Sequence, residues 1–242
     1  NLYIVNYTIY PSGAVNVAAR FTSTDMDAAQ TEVSEATRTA TFTPGRDAAR
    51  KEASKLNVPR IGVRFRLPAS MNQVEYFGRG PAENYLDRNA GSMIGLYKST
   101  AEELYFPYVR PQENGHHTDT RWVSLSTGKK GLLIQADNTI GFNALRNSIE
   151  DFDDEEATGL SRQWSNFTPE QVANHDEAAA KNVLRRQHHI NDITPCDFVE
   201  VCVDLKQQGV AGYDSWGSRP EPAYTLPANR EYNWGFTLIP LK

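Results

Sequence analysis

The fifteen residues from Tyr108 to Trp122, YVRPQENGHHTDTRW, hold Arg110, Glu113, Asn114, His116, His117, Asp119 and Arg121. A carboxylate and an imidazole at such close spacing can exchange a proton with a substrate, so Glu113, His116, His117 and Arg121 form a candidate polar site. The same residues also suit a structural role, in which Asn114-Gly115 makes a turn and its neighbours satisfy backbone groups at a sheet edge. Adjacent histidines on a strand point to opposite faces, so at most one of His116 and His117 is expected in any one cleft.

Two further stretches carry polar or aromatic chemistry. In YFGRGPAENYLDR, Tyr76 to Arg88, Gly78, Gly80 and Pro81 force turns and Glu83, Asn84, Asp87 and Arg88 supply hydrogen-bonding groups. No lysine and hydroxyl residue follow at phosphate-loop spacing, so the stretch reads as a turn closed by buried polar pairs. In GVAGYDSWGS, Gly209 to Ser218, one indole stands among three glycines and two serines. A tryptophan ring removes roughly 200 Å² from water when it is covered, and a glycine-rich loop cannot cover it. The cover for Trp216 is therefore expected from outside the loop. Ser215 lacks a GxSxG setting and has no base nearby in sequence, so a serine nucleophile has little support.

The elements that must position these residues follow a period of two. Tyr3, Val5, Tyr7 and Ile9 alternate, YPSG turns, and Val15, Val17, Ala19 and Phe21 resume, which predicts a hairpin. RIGVRFRL points Ile61, Val63, Phe65 and Leu67 one way and Arg60, Arg64 and Arg66 the other, the pattern of a half-buried strand with a solvated basic face. Strands are also predicted over 73–77, 122–126, 131–136, 197–205 and 235–241. Val199, Val201, Val203 and Leu205 share a face opposite Glu200, Cys202 and Asp204. Short helices are predicted over 46–56 and over 168–186, where Thr168, Pro169 and Gln171 make a capping signature. Many strands separated by Pro, Gly and Asn clusters predict an all-β sandwich, read as a single domain over 1–242.

Composition bounds the partners. The chain is 39% apolar with 25 basic and 30 acidic residues, an ordinary balance for a soluble globule. A net charge of −5 and the lack of a basic, aromatic-laced stripe exclude nucleic acid as a partner. The apolar runs are too short for a membrane helix. Cys196 and Cys202 flank one strand candidate, too far apart when extended for a disulfide, and read as free thiols. No CxxC or HExxH spacing supports a metal site, and the acidic run from Glu150 to Glu156 lacks a calcium loop's spacing. The chain opens inside a strand pattern without methionine, as expected of a piece of a longer polypeptide, and the compartment stays open between cytoplasm and periplasm.

Taken in order, RIGVRFRLP, VEYFGRGPAENYLDR, YVRPQENGHHTDTRW, DFVEVCVDLKQQGVAGYDSWGS and the closing YNWGFTLIP resemble the C-terminal domain of the large β-galactosidases of glycoside hydrolase family 2. The resemblance runs from about Leu2 to Leu241. It implies a large antiparallel β-supersandwich similar to galactose mutarotase, the last domain of an enzyme built around a TIM barrel. It also implies that Trp216 reaches the barrel's mouth and forms part of the sugar site, with Tyr213, Asp214 and Ser215 beside it. A pyranose presents a face of C–H groups that packs on an aromatic plane.

The two catalytic glutamates of the retaining mechanism would lie in the barrel, along with magnesium and sodium ligands, and none would lie in this chain. The isolated fragment is accordingly expected to be inactive, with a β-galactoside and the remaining domains as its partners and a homo-oligomeric parent allowed. The sequence departs from the family's pattern at Ala211, where a glycine is usual, and at Tyr213, where an acid is usual. The stretches 22–56 and 151–181 match poorly. Two alternatives stay open: a stand-alone mutarotase-like epimerase using Glu113 with His116 or His117, and a non-catalytic carbohydrate-binding or architectural sandwich.

Overall fold

The computed structural model describes residues 2–22, 57–109, 111–152, 190–213 and 219–242. Among these, nine antiparallel strands join into one sheet system: β1 (Leu2–Ile9), β2 (Val15–Thr22), β3 (Arg60–Pro68), β4 (Gln73–Gly80), β5 (Met93–Thr100), β6 (His117–Ser126), β7 (Gly131–Leu145), β8 (Phe198–Gln207) and β9 (Tyr232–Leu241). The only helical turns among the described residues are three-residue 3-10 turns. The predicted helices over 46–56 and 168–186 lie outside the described residues.

The strands run in the order β1-β2-β9-β7-β6-β4-β5, and β8 links β3 to β7. β7 makes this branching possible. Its first part, Gly131 to Ala136, pairs with β9, and its last part, Gly141 to Leu145, pairs with β8. β7 therefore runs well past the predicted end at 136. Alternation fails as a signal there because every residue from Ile140 to Leu145 is buried, as in any strand covered on both faces.

The main core lies between the two parts of the sheet. Val17, Val74, Tyr76, Val123, Leu125, Ile134, Phe142 and Phe236 meet Val199, Val201 and Val203, with Val63, Phe65 and Leu67 of β3 packed against them. Each such side chain contributes roughly 1.5–3 kcal/mol when fully covered. The period-two reading of these strands thus describes an all-β sandwich with the predicted inward faces.

The opposite face of β3 and β8 corrects the sequence reading. Arg64 and Arg66 are exposed as expected of a solvated basic face, but Arg60 is not, and all three pair with acids. Their strand lies in register with β8, placing Arg66 opposite Glu200 and Gly62 opposite Asp204. Glu200 and Asp204 are 2% and 1% exposed, which an acid tolerates only when paired. Nε and Nη2 of Arg60 donate to Asp204 Oδ2 at 2.8 and 2.6 Å. Arg66 reaches Glu200 at 3.2 Å and lies over the Phe198 ring, while Arg64 spans Glu150 and Glu200. Room for the Asp204 carboxylate comes from Gly62, where a Cβ would fall 1.9 Å from Oδ1.

Cys196 and Cys202 are free, as expected. Burial pushes their thiols up to about 11 and about 12 respectively, so neither is a ready thiolate.

These pairs differ in burial, and their removal should differ accordingly. Asp204→Ala leaves a guanidinium covered without its carboxylate and is expected to cost about 3–5 kcal/mol. Arg66→Ala, whose side chain is 54% exposed, should cost under about 1 kcal/mol because Arg64 still faces Glu200. Urea midpoints of the two variants measure the difference, and equal losses would contradict this account.

Candidate functional site

Glu113 and His116 come together around a residue that their own segment does not contain. Arg60 of β3 donates through Nη1 to Glu113 and through Nη2 to Asn143 of β7, in addition to its bonds to Asp204. Asn143 donates from Nδ2 to the Asn114 carbonyl at 2.6 Å, which turns its Oδ1 toward His116 Nδ1 at 2.8 Å. That contact places the imidazole hydrogen on Nδ1. Burial and the neighbouring Arg60 charge hold His116 down to about 3, so it stays neutral at physiological pH. The Arg60 guanidinium is pushed above its ordinary value by Asp204 and Glu113, against the opposing effect of burial, and remains charged. Burial also pushes the Asp204 carboxyl up, to about 6, with Arg60 opposing it.

His117 faces the other way. Its ring stacks on Phe142 at 5.1 Å and meets Tyr76 edge-on at 4.9 Å, inside the core. Nδ1 lies 3.0 Å from the Gly115 carbonyl and Nε2 lies 3.2 Å from the Pro81 carbonyl. Burial holds it below the ordinary histidine range despite these two acceptors. Arg121 joins neither histidine. It donates to the Asp119 carbonyl at 2.5 Å and lies over the Phe77 ring at 5.7 Å. Of the four predicted residues, then, Glu113 and His116 share a network, while His117 and Arg121 stand apart from it.

That network does not admit a sugar. His116 and His117 are each 1% exposed, and the void beside Glu113, Asn143 and Cys202 is about 10 Å³, room for one water at most. A larger concavity, of about 380 Å³, lies between Glu75, Trp122, Ser124, Leu133, Gln135 and Leu241, and none of the predicted site residues lines it.

The stretch from Tyr76 to Arg88 closes onto the same segment. Glu83 accepts the Gly115 N–H at 2.6 Å and the Tyr85 hydroxyl at 3.2 Å, and it also takes the Tyr108 hydroxyl. This carboxylate helps raise Tyr108 to about 12, after burial. Asn84 is fully covered; it donates to the Arg79 and Ala82 carbonyls at 3.1 Å and accepts the Thr118 N–H and hydroxyl at 2.9 and 2.6 Å. The two polar motifs of the sequence are therefore one interlocked unit, as buried polar groups require.

The third stretch meets this unit through Asp87. Val210 and Ala211 donate their N–H groups to Asp87 Oδ1 and Oδ2 at 3.1 and 2.8 Å, and the Tyr213 hydroxyl lies 3.4 Å from Oδ2. Ala211 and Gly212 both adopt positive φ, +54° and +81°. Tyr213 is 57% exposed. Asp214, Ser215 and Trp216 lie outside the described residues. Sequence reasoning missed Arg60, Asp204 and Asn143 as members of the network, and it read Asp87 as a hydrogen-bonding residue of its own turn and not as a partner of the 209–213 stretch. The one available signal was the matched spacing of Arg60, Arg64 and Arg66 against Glu200 and Asp204. Among the described residues no three His, Cys, Asp or Glu gather as an ion site.

Two outcomes follow from this geometry. Below about pH 6.5 the unfolded chain binds more protons at His116 and His117 than the folded chain does, so folding stability should fall as pH drops from 7 to 5. Asp204, raised above its unfolded value, works in the opposite sense below about 6, one group against two. His116→Gln should flatten the slope of urea stability against pH by up to about 1.4 kcal/mol per unit, and an unchanged slope would contradict the assignment. Ala211→Gly relieves a left-handed alanine at about 1–2 kcal/mol, against roughly 0.4–1 kcal/mol of added unfolded-state freedom. It is expected to raise the unfolding midpoint slightly, where glycine substitution ordinarily lowers it.

Residues 2–238 match the family described as beta galactosidase small chain. A beta-galactosidase of Priestia megaterium is 35% identical over 185 residues, which cover 76% of this chain and 15% of that protein. One of Arthrobacter sp. (strain B7) is 41% identical over 99 residues, 38% of this chain and 10% of that protein. One of Halalkalibacterium halodurans is 25% identical over 235 residues, 97% of this chain and 18% of that protein. The chain thus spans less than a fifth of each of these relatives. With a match from the first strand into the last, the chain belongs to the beta-galactosidase small chain family.

Proposed function

We propose that this chain is the C-terminal domain of a retaining β-galactosidase that hydrolyses terminal β-D-galactosyl residues, and that it contributes one wall of the sugar site through Trp216. The observation that carries the reading is the match over 2–238 to a family described as the small chain of such enzymes, with relatives several times longer. The catalytic glutamates, about 5–5.5 Å apart in retaining enzymes, belong in this reading to a barrel domain outside the chain. Magnesium and sodium belong there too, and the isolated chain would be inactive.

What the chain's own residues support is positioning. The loop from Gly209 leaves β8 through a stem held by Asp87 and directs its backbone through two left-handed residues before the Asp214-Ser215-Trp216 sequence. Tyr213, half uncovered, adds a second aromatic surface next to it. The epimerase alternative needs an acid and a base that a sugar can touch, and the covered His116 and His117 and the ion-paired Glu113 do not offer one.

In the full-length enzyme, Trp216→Ala is expected to raise KM for a chromogenic galactoside about tenfold or more, the scale of ring stacking on an aromatic side chain at ~1–3 kcal/mol. Steady-state kinetics check it. An unchanged KM would overturn the assignment of Trp216.

A further inference from the structure

The outward face of the sheet carries an indole that the core does not use. Trp122 ends the polar segment that begins at Tyr108, and on β6 it alternates with Val123 and Leu125, whose side chains are buried. The register sets Trp122 between Phe77 of β4 and Gln135 of β7, and in the next row it sets Ser124 between Glu75 and Leu133. With Leu241 of β9, five of these residues, Glu75, Trp122, Ser124, Leu133 and Gln135, line the concavity of about 380 Å³. Small-molecule sites are of that size, roughly 300–1,000 Å³.

The lining is part apolar and part polar, and its polar groups are largely unspent. Neither the Trp122 indole N–H nor the Gln135 amide has a hydrogen-bond partner among the described residues, and neither is a buried orphan, so both reach solvent. Ser124 donates its hydroxyl to the Glu75 carbonyl at 3.3 Å and keeps its oxygen as an acceptor. Lys98 lies 3.4 Å from Oε2 of Glu75, and no described residue bonds Oε1.

Such a set selects its ligand. A carboxylate in the wall disfavours phosphates and other anions. Glu and Ser are among the residue types depleted from the core of a protein–protein interface, so Glu75 and Ser124 fit poorly with a covering domain. A neutral pyranose meets both halves of the lining, since its C–H face packs on an aromatic side chain and its hydroxyls both donate and accept.

From this geometry we propose that the concavity at Trp122 is a saccharide-binding site, in which a neutral pyranose stacks on the indole while Gln135, Ser124 and Glu75 take its hydroxyls. The proposal stands on this lining and does not need the reading of Trp216. It is a binding role, with no bond made or broken at the face.

The test is oxidative footprinting of the full-length enzyme, read by mass spectrometry on the peptide that carries Trp122. D-galactose and D-glucose are the probes, and galactitol, a polyol without a ring face, controls for radical scavenging. Trp122 should oxidise readily without sugar. One of the two pyranoses, at roughly millimolar concentration, should slow that oxidation several-fold, and galactitol should not. Gln135→Ala should raise the concentration for half protection about twofold to tenfold, the range of one net hydrogen bond. Gln135 is exposed and bonds to no described residue, so the substitution leaves the fold intact.

An indole at 122 that resists oxidation in the absence of sugar would mean that another domain of the parent covers the face, and the proposal would be overturned. Oxidation that neither pyranose slows more than galactitol does would overturn it too, as would a half-protection point that Gln135→Ala leaves unmoved. If Trp216→Ala leaves KM unchanged, only the reading of Trp216 fails, because the peptide carrying Trp122 reports its own site.

Discussion

One buried charge pair organises this chain: Arg60 of β3 against Asp204 of β8. Uncovered by water, a carboxylate that is 1% exposed can remain only where nitrogen donors meet it, and Arg60 supplies two to one oxygen. The guanidinium has donors to spare, and they go to Glu113 and Asn143. Four separate stretches of chain are thereby set at fixed distance: β3 and β8 edge to edge, β7 through Asn143, and the segment before β6 through Glu113 and His116. A hydrophobic pair of similar volume would give comparable stability without choosing those partners. What the charge pair adds is register. A slip of one residue between β3 and β8 would turn Asp204 into the apolar core and Val203 out of it.

From that centre, polar contacts continue outward in steps that each have a definite geometry. His116 stacks on Tyr85, Tyr85 shares Glu83 with Gly115, and the same turn offers Asp87 to the stem at Val210 and Ala211. Contiguity of this kind does not establish energetic coupling between its ends. It does explain how a stretch rich in Asn, Glu and His can be buried. Asn84, Asn114, Asn143, Glu83 and His116 each find a hydrogen-bond partner, which lowers the penalty of covering them, and aromatic faces pack between them.

The strands and their inward faces were legible in the sequence because alternation is a local signal, and Ile61, Val63 and Phe65 or Val199, Val201 and Val203 announce it over a few residues. Two features were not local. The covering of Arg60 depends on β8, some 140 residues on, so the same alternation that placed Arg60 opposite Ile61 could not say what lay above it. The extension of β7 to Leu145 is silent for a related reason: once both faces are covered, no polar face remains to mark the period. Of the candidate site, the residue types in the segment from Tyr108 to Trp122 were legible and their partition was not. Glu113 and His116 converge only because Arg60 and Asn143 arrive from other strands, while His117 turns into the core and Arg121 onto Phe77.

An aromatic side chain that stays exposed, as Tyr213 does, sets a constraint on how its loop can be held. Extensive apolar burial, the usual means of fixing a segment, would consume that exposed surface. Backbone hydrogen bonds to a fixed anion avoid the conflict, since they hold the main chain and leave side chains free. In the stem of this loop Asp87 takes the N–H groups of Val210 and Ala211 and also lies 3.4 Å from the Tyr213 hydroxyl, while the Tyr213 side chain as a whole stays 57% exposed. This arrangement also accounts for a left-handed alanine at 211. The direction of the turn is set by the two N–H groups converging on one carboxylate, so a residue with a modest conformational penalty is tolerated there as long as both bonds are kept.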